Sequence, residues 1–441
     1  MRKVVLAIDK RKSYPAHLAL LLPLIFAVSG AFAGSPSEQT PILYTSEPFE
    51  DPVAKLDARL KSRQTVLTSD PEHGYLAAVL KYLNVPASSQ TLVFSKTSFQ
   101  RPHIWPDAPR ALYFNDNVYV GWVKGGDVIE FAAMDPQKGP IFYTLDQRKE
   151  TARLQRQTDS CLQCHESAMT EGNPGLLVRS VFPDSDGMPI YSSGTFRISH
   201  ESPIKERWGG WYVTGTHGAQ RHMGNMIVRD KNNPEKVDFE KGANVTDLSK
   251  LFDTKPYLAA SSDIVALMVL EHQAKAHNLI TSANYLTRFA LRDEEAINKA
   301  LDRTTPGHSD STRSRIKSAC EPLIRYFLFI EEATLTAPVQ GSTDYAKQFE
   351  ALGPLDKAGR SLRDFDLKTR MFRYPCSYLI YSESFNRLPD EAKQYTYGRL
   401  LEILLGKDVS PEYAKLTTAD RQAILSILRE TKADLPDEWR R

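Results

Sequence analysis

Cys161, Leu162, Gln163, Cys164 and His165 form a C-x-x-C-H string. Two thiols three positions apart, with an imidazole directly after the second, suit covalent attachment of a c-type haem. The thiols add to the two vinyl groups of one porphyrin, and the adjacent imidazole reaches the iron from the same side. Three other chemistries use parts of the string. A thioredoxin-type dithiol needs a strand-to-helix setting, whereas Gln155 to Ser160 reads as polar and irregular. Zinc lacks a second Cys/His pair at finger spacing. A plain Cys161–Cys164 disulfide leaves His165 without a role.

Over these five residues the chain resembles the c-type cytochromes. The resemblance implies one haem c, with Cys161 and Cys164 as its thioether links and His165 as the proximal iron ligand. The strings Tyr113-Phe114-Asn115-Asp116 and Arg207-Trp208-Gly209-Gly210-Trp211 are similar to those of large single-haem bacterial proteins, not of the small soluble cytochromes. A looser similarity is to cytochromes whose β-rich domain holds the haem near its CxxCH and crosslinks a lysine to it. No lysine of this chain is assigned to such a link.

The sixth iron position separates the functional classes. A Met or His there gives a six-coordinate electron carrier, and an open position admits peroxide, nitric oxide or another small ligand. Candidates fall in two places. His217, His222, Met223 and Met226 lie in the Gly-rich stretch Gly215 to Met226, which equally suits a surface loop with hydrogen-bonded histidines and a core methionine. The second place is a helix expected to begin near Asp263. On it Val265, Met268, Val269, His272, Ala276 and Leu279 share one face. His272 is the only polar residue of that stripe, as a distal ligand or a hydrogen-bonded core residue would be. His277 points about 140 degrees away from it, so the two do not face one iron. His272 and Met223 are the leading distal candidates, with an open iron as the alternative.

The elements that position these residues change period along the chain. Val53, Leu56 and Leu60, then Leu76, Val79, Leu80 and Leu83, predict two short helices. Leu92 to Phe94, Ala111 to Phe114, Val118 to Val123, Val128 to Ala132 and Ile141 to Leu145 predict strands separated by turn chemistry, hence an antiparallel meander. A second strand-rich stretch is expected from Leu176 to Val228, with Trp208 to Thr214 as a strand. From about Asp247 helical periodicity dominates. The expected class is α+β, with an antiparallel β-rich N-terminal and middle region carrying the haem motif and a helical C-terminal half. Length favours at least two units, divided as 1–33, 34–245 and 246–441.

Residues 1–33 read as a signal peptide: Arg2, Lys3, Lys10, Arg11 and Lys12 precede an apolar run that ends in Ala31-Phe32-Ala33. An N-terminal membrane anchor is the alternative. Cleavage removes five basic residues and one acidic one, taking the formal net charge from +2 to −2, which offers nothing to nucleic acid or anionic lipid. No later stretch suits a membrane span. In an oxidising compartment the leftover Cys320 and Cys376 suggest a disulfide, with two separate buried thiols as the alternative.

Two functional classes follow. One is an exported electron-transfer cytochrome that docks a redox partner protein. The other is a haem oxidoreductase or small-ligand binder with an open iron, in which His217, His222 or Arg221 serve acid–base work on peroxide or nitrogen oxides. A third reading, in which haem is incidental to another binding role, ranks below both.

Overall fold

The computed structural model describes residues 35–148, 151–304 and 306–440; the signal segment at 1–33 lies outside the described residues. Asp51 accepts hydrogen bonds at 2.9 Å from the backbone N–H groups of Val53 and Ala54, and Pro52 takes the first helical position. The helix α1 (Pro52–Lys61) therefore starts where its donors are capped. In α2 (Leu76–Tyr82) Leu76, Val79 and Leu80 are buried, as their spacing requires.

Seven antiparallel strands follow: β1 (Thr91–Val93), β2 (Arg110–Phe114), β3 (Val118–Trp122), β4 (Val128–Asp135), β5 (Gly139–Asp146), β6 (Leu154–Gln157) and, from later in the chain, Trp211–Tyr212. Sequential strands are neighbours from β1 to β6, and Trp211–Tyr212 closes the far edge beside β1. Side chains fix the turns. Asn115 Oδ1 accepts from the N–H groups of Asn117 and Val118, and Asp135 Oδ1 from those of Gln137 and Lys138.

Register sorts the sheet into two faces. Leu112, Gly121, Glu130 and Thr144 lie side by side across β2 to β5, and Phe114, Tyr119, Ala132 and Phe142 form the next row on the same face. That face shares a core with the long helix of the C-terminal half. On the opposite face, Tyr113, Val120, Phe131 and Tyr143 pack with α1 and α2.

β6 leads directly into α3 (Asp159–His165), which carries the CxxCH string. The irregular segment expected at Gln155 to Ser160 is thus an edge strand at its start. Its polar residues are tolerated because an edge strand keeps one side in water. It pairs antiparallel with β5, so it is not the βαβ unit of a thioredoxin-type site. After α3 come β7 (Arg179–Val181) and β8 (Thr195–Arg197), a separate two-stranded ladder. Trp208 to Thr214 is strand only at β9 (Trp211–Tyr212); Trp208 at φ +66° and Gly210 at φ +85° break the extended path before it.

The C-terminal half is helical. Its spine is α4 (Ile264–Ala300), 37 residues and about 55 Å long. One oxygen of Asp263 caps it by accepting from Val265 and Ala266 N–H, and the other accepts from the N–H and hydroxyl of Thr343 at 2.8 Å. α5 (Asp310–Phe327) shares the α4 core, joined by helices at 390–404 and 418–431. The fold is therefore α+β as expected. Pro36–Arg441 is one compact unit, so the strand-rich and helical regions share a core instead of folding apart. No described helix is long and apolar enough to cross a membrane.

Cys320 and Cys376 are both buried free thiols, which corrects the expected disulfide. The Cys320 Sγ lies 3.8 Å from the Ala392 carbonyl. Burial pushes the two thiols up to about 11 and about 12, so both are inert packing residues.

Asp263→Ala removes a helix cap and the anchor of Thr343 together. The expected loss is about 2–4 kcal/mol of unfolding free energy, read from the urea midpoint at constant m-value.

Candidate functional site

α3 places Cys161, Cys164 and His165 on one short helix, and both thiols are free. Cys164 is exposed and Cys161 is half-buried. Burial, with Glu130 adding to it, pushes the Cys161 thiol up to about 11. The His165 Nδ1–H donates to the Gly175 carbonyl at 2.8 Å. That bond fixes the tautomer and leaves the lone pair on Nε2, the arrangement of a metal-ligating imidazole whose second nitrogen is held by the backbone. Desolvation also lowers the His165 pKa, against the Gly175 bond that raises it, so the ring is neutral as metal ligation requires. Its position is set from two sides. The Phe142 ring, in the second sheet row, lies 4.7 Å away, and the Gly175 N–H donates to the His165 carbonyl at 2.8 Å.

Beside this trio the sheet carries one charged pair. Arg110 and Glu130 form a 2.7 Å ion pair, largely shielded from solvent, and both act electrostatically on Cys161 and His165. The pair fits because Gly121, which sits beside Glu130 in the register, carries no side chain; a Cβ there would collide with the Arg110 guanidinium. Large apolar side chains reach solvent near the string. Met169, four residues past His165, is exposed, and so is Tyr191 beneath the Arg179 guanidinium. Phe99 is 69% exposed, next to Ser98, whose hydroxyl approaches Glu130. Apolar surface left open beside two free thiols and a lone-pair Nε2 is what an apolar, covalently held cofactor would cover.

Among the described residues, no group of three or more His, Cys, Asp or Glu side chains converges in the way a four-ligand zinc site would need.

The distal candidates lie in other clusters. His272 is fully buried, and both its nitrogens are engaged, Nδ1 with His200 Nδ1 at 2.7 Å and Nε2 with the Ser377 hydroxyl at 2.9 Å. The ring stacks on Tyr326 and Phe329. His277, on another side of α4, bonds the Asp116 carbonyl instead, as the 140 degree offset requires. Met223 is buried with its sulfur 3.5 Å from the Ser180 hydroxyl. His222 packs edge-on to Trp208 and accepts from Gly224 N–H through Nδ1, and the neighbouring His217 accepts from Asn244 N–H. Met226 is buried as well. Arg221 is tied to Glu240 at the surface. None of these residues shares a described partner with His165.

Gly175, Arg110 and Glu130 were missed by sequence reasoning. One signal was available: a lone glycine inside a strand, such as Gly121, marks a close approach. Nothing local marks the Gly175 carbonyl, because loop folding alone brings it to His165.

No protein-family model, no curated protein and no solved structure matches the chain.

The buried histidines make stability depend on acid. Burial lowers His222 and His272 to about 3 and His277 to about 4. Each is therefore below its unfolded value near 6.5, so the unfolded chain binds more protons as pH falls below that value. Their contribution is complete above pH 6.5 and is lost on the way down towards pH 3–4. Each imidazole costs about 1–2 kcal/mol between pH 7 and pH 5. Burial raises Asp51 to about 6 and Glu271 and Glu332 to about 7, which acts in the opposite sense. The check is therefore a comparison with His277→Gln: the change in urea midpoint from pH 7 to pH 5 should be less unfavourable in the variant than in wild type, and an equal change contradicts it.

Proposed function

We propose that this chain is an exported c-type haem protein with a redox function, carrying one haem on Cys161 and Cys164 with His165 Nε2 as the proximal ligand. The observation that carries the reading is the His165–Gly175 bond, because it presents an oriented Nε2 on the residue after Cys164, on the same short helix as the unpaired Cys161. When bound, haem supplies a one-electron couple and an axial site for small ligands. The chain's own part is to hold the imidazole in one tautomer, to shelter it against Phe142, and to set a guanidinium–carboxylate pair beside it.

Electron transfer to a redox partner protein is the primary reading. The second reading, an open or exchangeable sixth position, is favoured by a specific observation: His272 has no free ring nitrogen, and Met223 and His222 pack around other residues. A closed six-coordinate carrier that used His272 would need it to leave His200 or Ser377, whereas the His222 Nε2 is buried without a hydrogen-bond partner.

The test is the ferrous absorption spectrum of the matured protein with and without carbon monoxide. The exchangeable site predicts a shift on adding carbon monoxide, and His272→Ala should leave that spectrum unchanged while lowering stability by about 2–4 kcal/mol. A low-spin spectrum indifferent to carbon monoxide, lost in His272→Ala or Met223→Leu, assigns the distal ligand and the closed carrier instead.

A further inference from the structure

Arg179 and Arg197 face each other directly in the β7–β8 ladder. Residues opposite one another in an antiparallel pair project from the same face, with Cα atoms about 5 Å apart. Like charges in that relation destabilise a ladder, and this ladder has only three residue pairs to offset the cost.

The neutralisation is incomplete. Arg197 Nη1 donates to Glu171 at 2.9 Å and to the Met169 carbonyl at 2.7 Å. Arg179 donates through Nε and Nη2 to the Thr195 hydroxyl at 3.2 and 3.0 Å, and has no carboxylate partner among the described residues. Two guanidiniums thus share one carboxylate at the surface. Their place is also specific. Met169 and Glu171 belong to the turn that begins at Ser167, two residues after His165. Arg197 is therefore fastened to the turn directly after the CxxCH string, with the exposed Met169 and Tyr191 side chains beside the pair.

We propose that Arg179 and Arg197 form a carboxylate clamp for the propionates of the attached haem. This rests on the covalent-haem reading. A haem brings two carboxylates and a large apolar ring, and the paired guanidiniums with their apolar rim match both.

The matured holoprotein tests it first. Resonance Raman reports the propionate bending mode. In Arg179→Gln/Arg197→Gln the band should move relative to wild type, and the double lysine variant should restore it in part. A band that stays in place in the double Gln variant overturns the clamp while haem remains attached. Binding gives a second readout on the Cys161→Ser/Cys164→Ser chain, titrated with haemin and with haemin dimethyl ester. Each Arg→Gln change should weaken haemin about tenfold and leave the ester unaffected. Equal losses with both probes overturn the clamp and make the arginines structural. If the wild-type chain retains no colour after denaturation, the haem reading and the clamp fall together.

Discussion

One hydrogen bond, from His165 Nδ1–H to the Gly175 carbonyl, decides what the CxxCH string can do. A histidine with a free ring populates both tautomers and many rotamers. In this chain the backbone acceptor and the Phe142 ring leave one nitrogen, Nε2, with its lone pair outward. Gly175 is in turn held through its neighbour Leu176, whose N–H and carbonyl both bond the side-chain amide of Asn278 on α4. The imidazole is thus tied to the sheet through Phe142 and to the long helix through Asn278.

Elsewhere on α4, Glu271 and His272 belong to a buried polar network. Ser377, His272 and His200 are linked in sequence, and the His200 carbonyl accepts from Arg207. Arg207 pairs with Glu271, which also accepts from the Trp208 indole N–H. Arg207 and Glu271 have side chains almost wholly out of water. Such a pair is expensive to break, because removing either partner strands a buried charge. The network ties the loop at 200–208 to the helix and explains why the string Arg207-Trp208 is structural, while Trp211 and Tyr212 continue into the sheet.

Much of this was legible in the sequence where periodicity and side-chain chemistry act locally. The meander followed from β-branched runs broken by Asn115-Asp116-Asn117 and by Asp135 to Gly139, and the start of α4 followed from Asp263. The stripe containing His272 was also read correctly as a buried face. What the stripe could not reveal was its partner. His200 lies 72 residues earlier in an irregular segment, and only the tertiary fold brings its ring to His272. The same limit hid the Arg179–Arg197 pair, since the register of two three-residue strands leaves no periodic trace. Gln155 to Ser160 misled because edge strands accept polar residues, so alternation fades where water covers one side.

Intact mass of the chain, co-expressed with a cytochrome c maturation system, decides whether the string holds haem. Covalent attachment at Cys161 and Cys164 predicts a gain of one haem mass that survives denaturation, and its loss in Cys161→Ala/Cys164→Ala. An unmodified mass in the wild-type chain, despite maturation of a control cytochrome in the same cells, contradicts it.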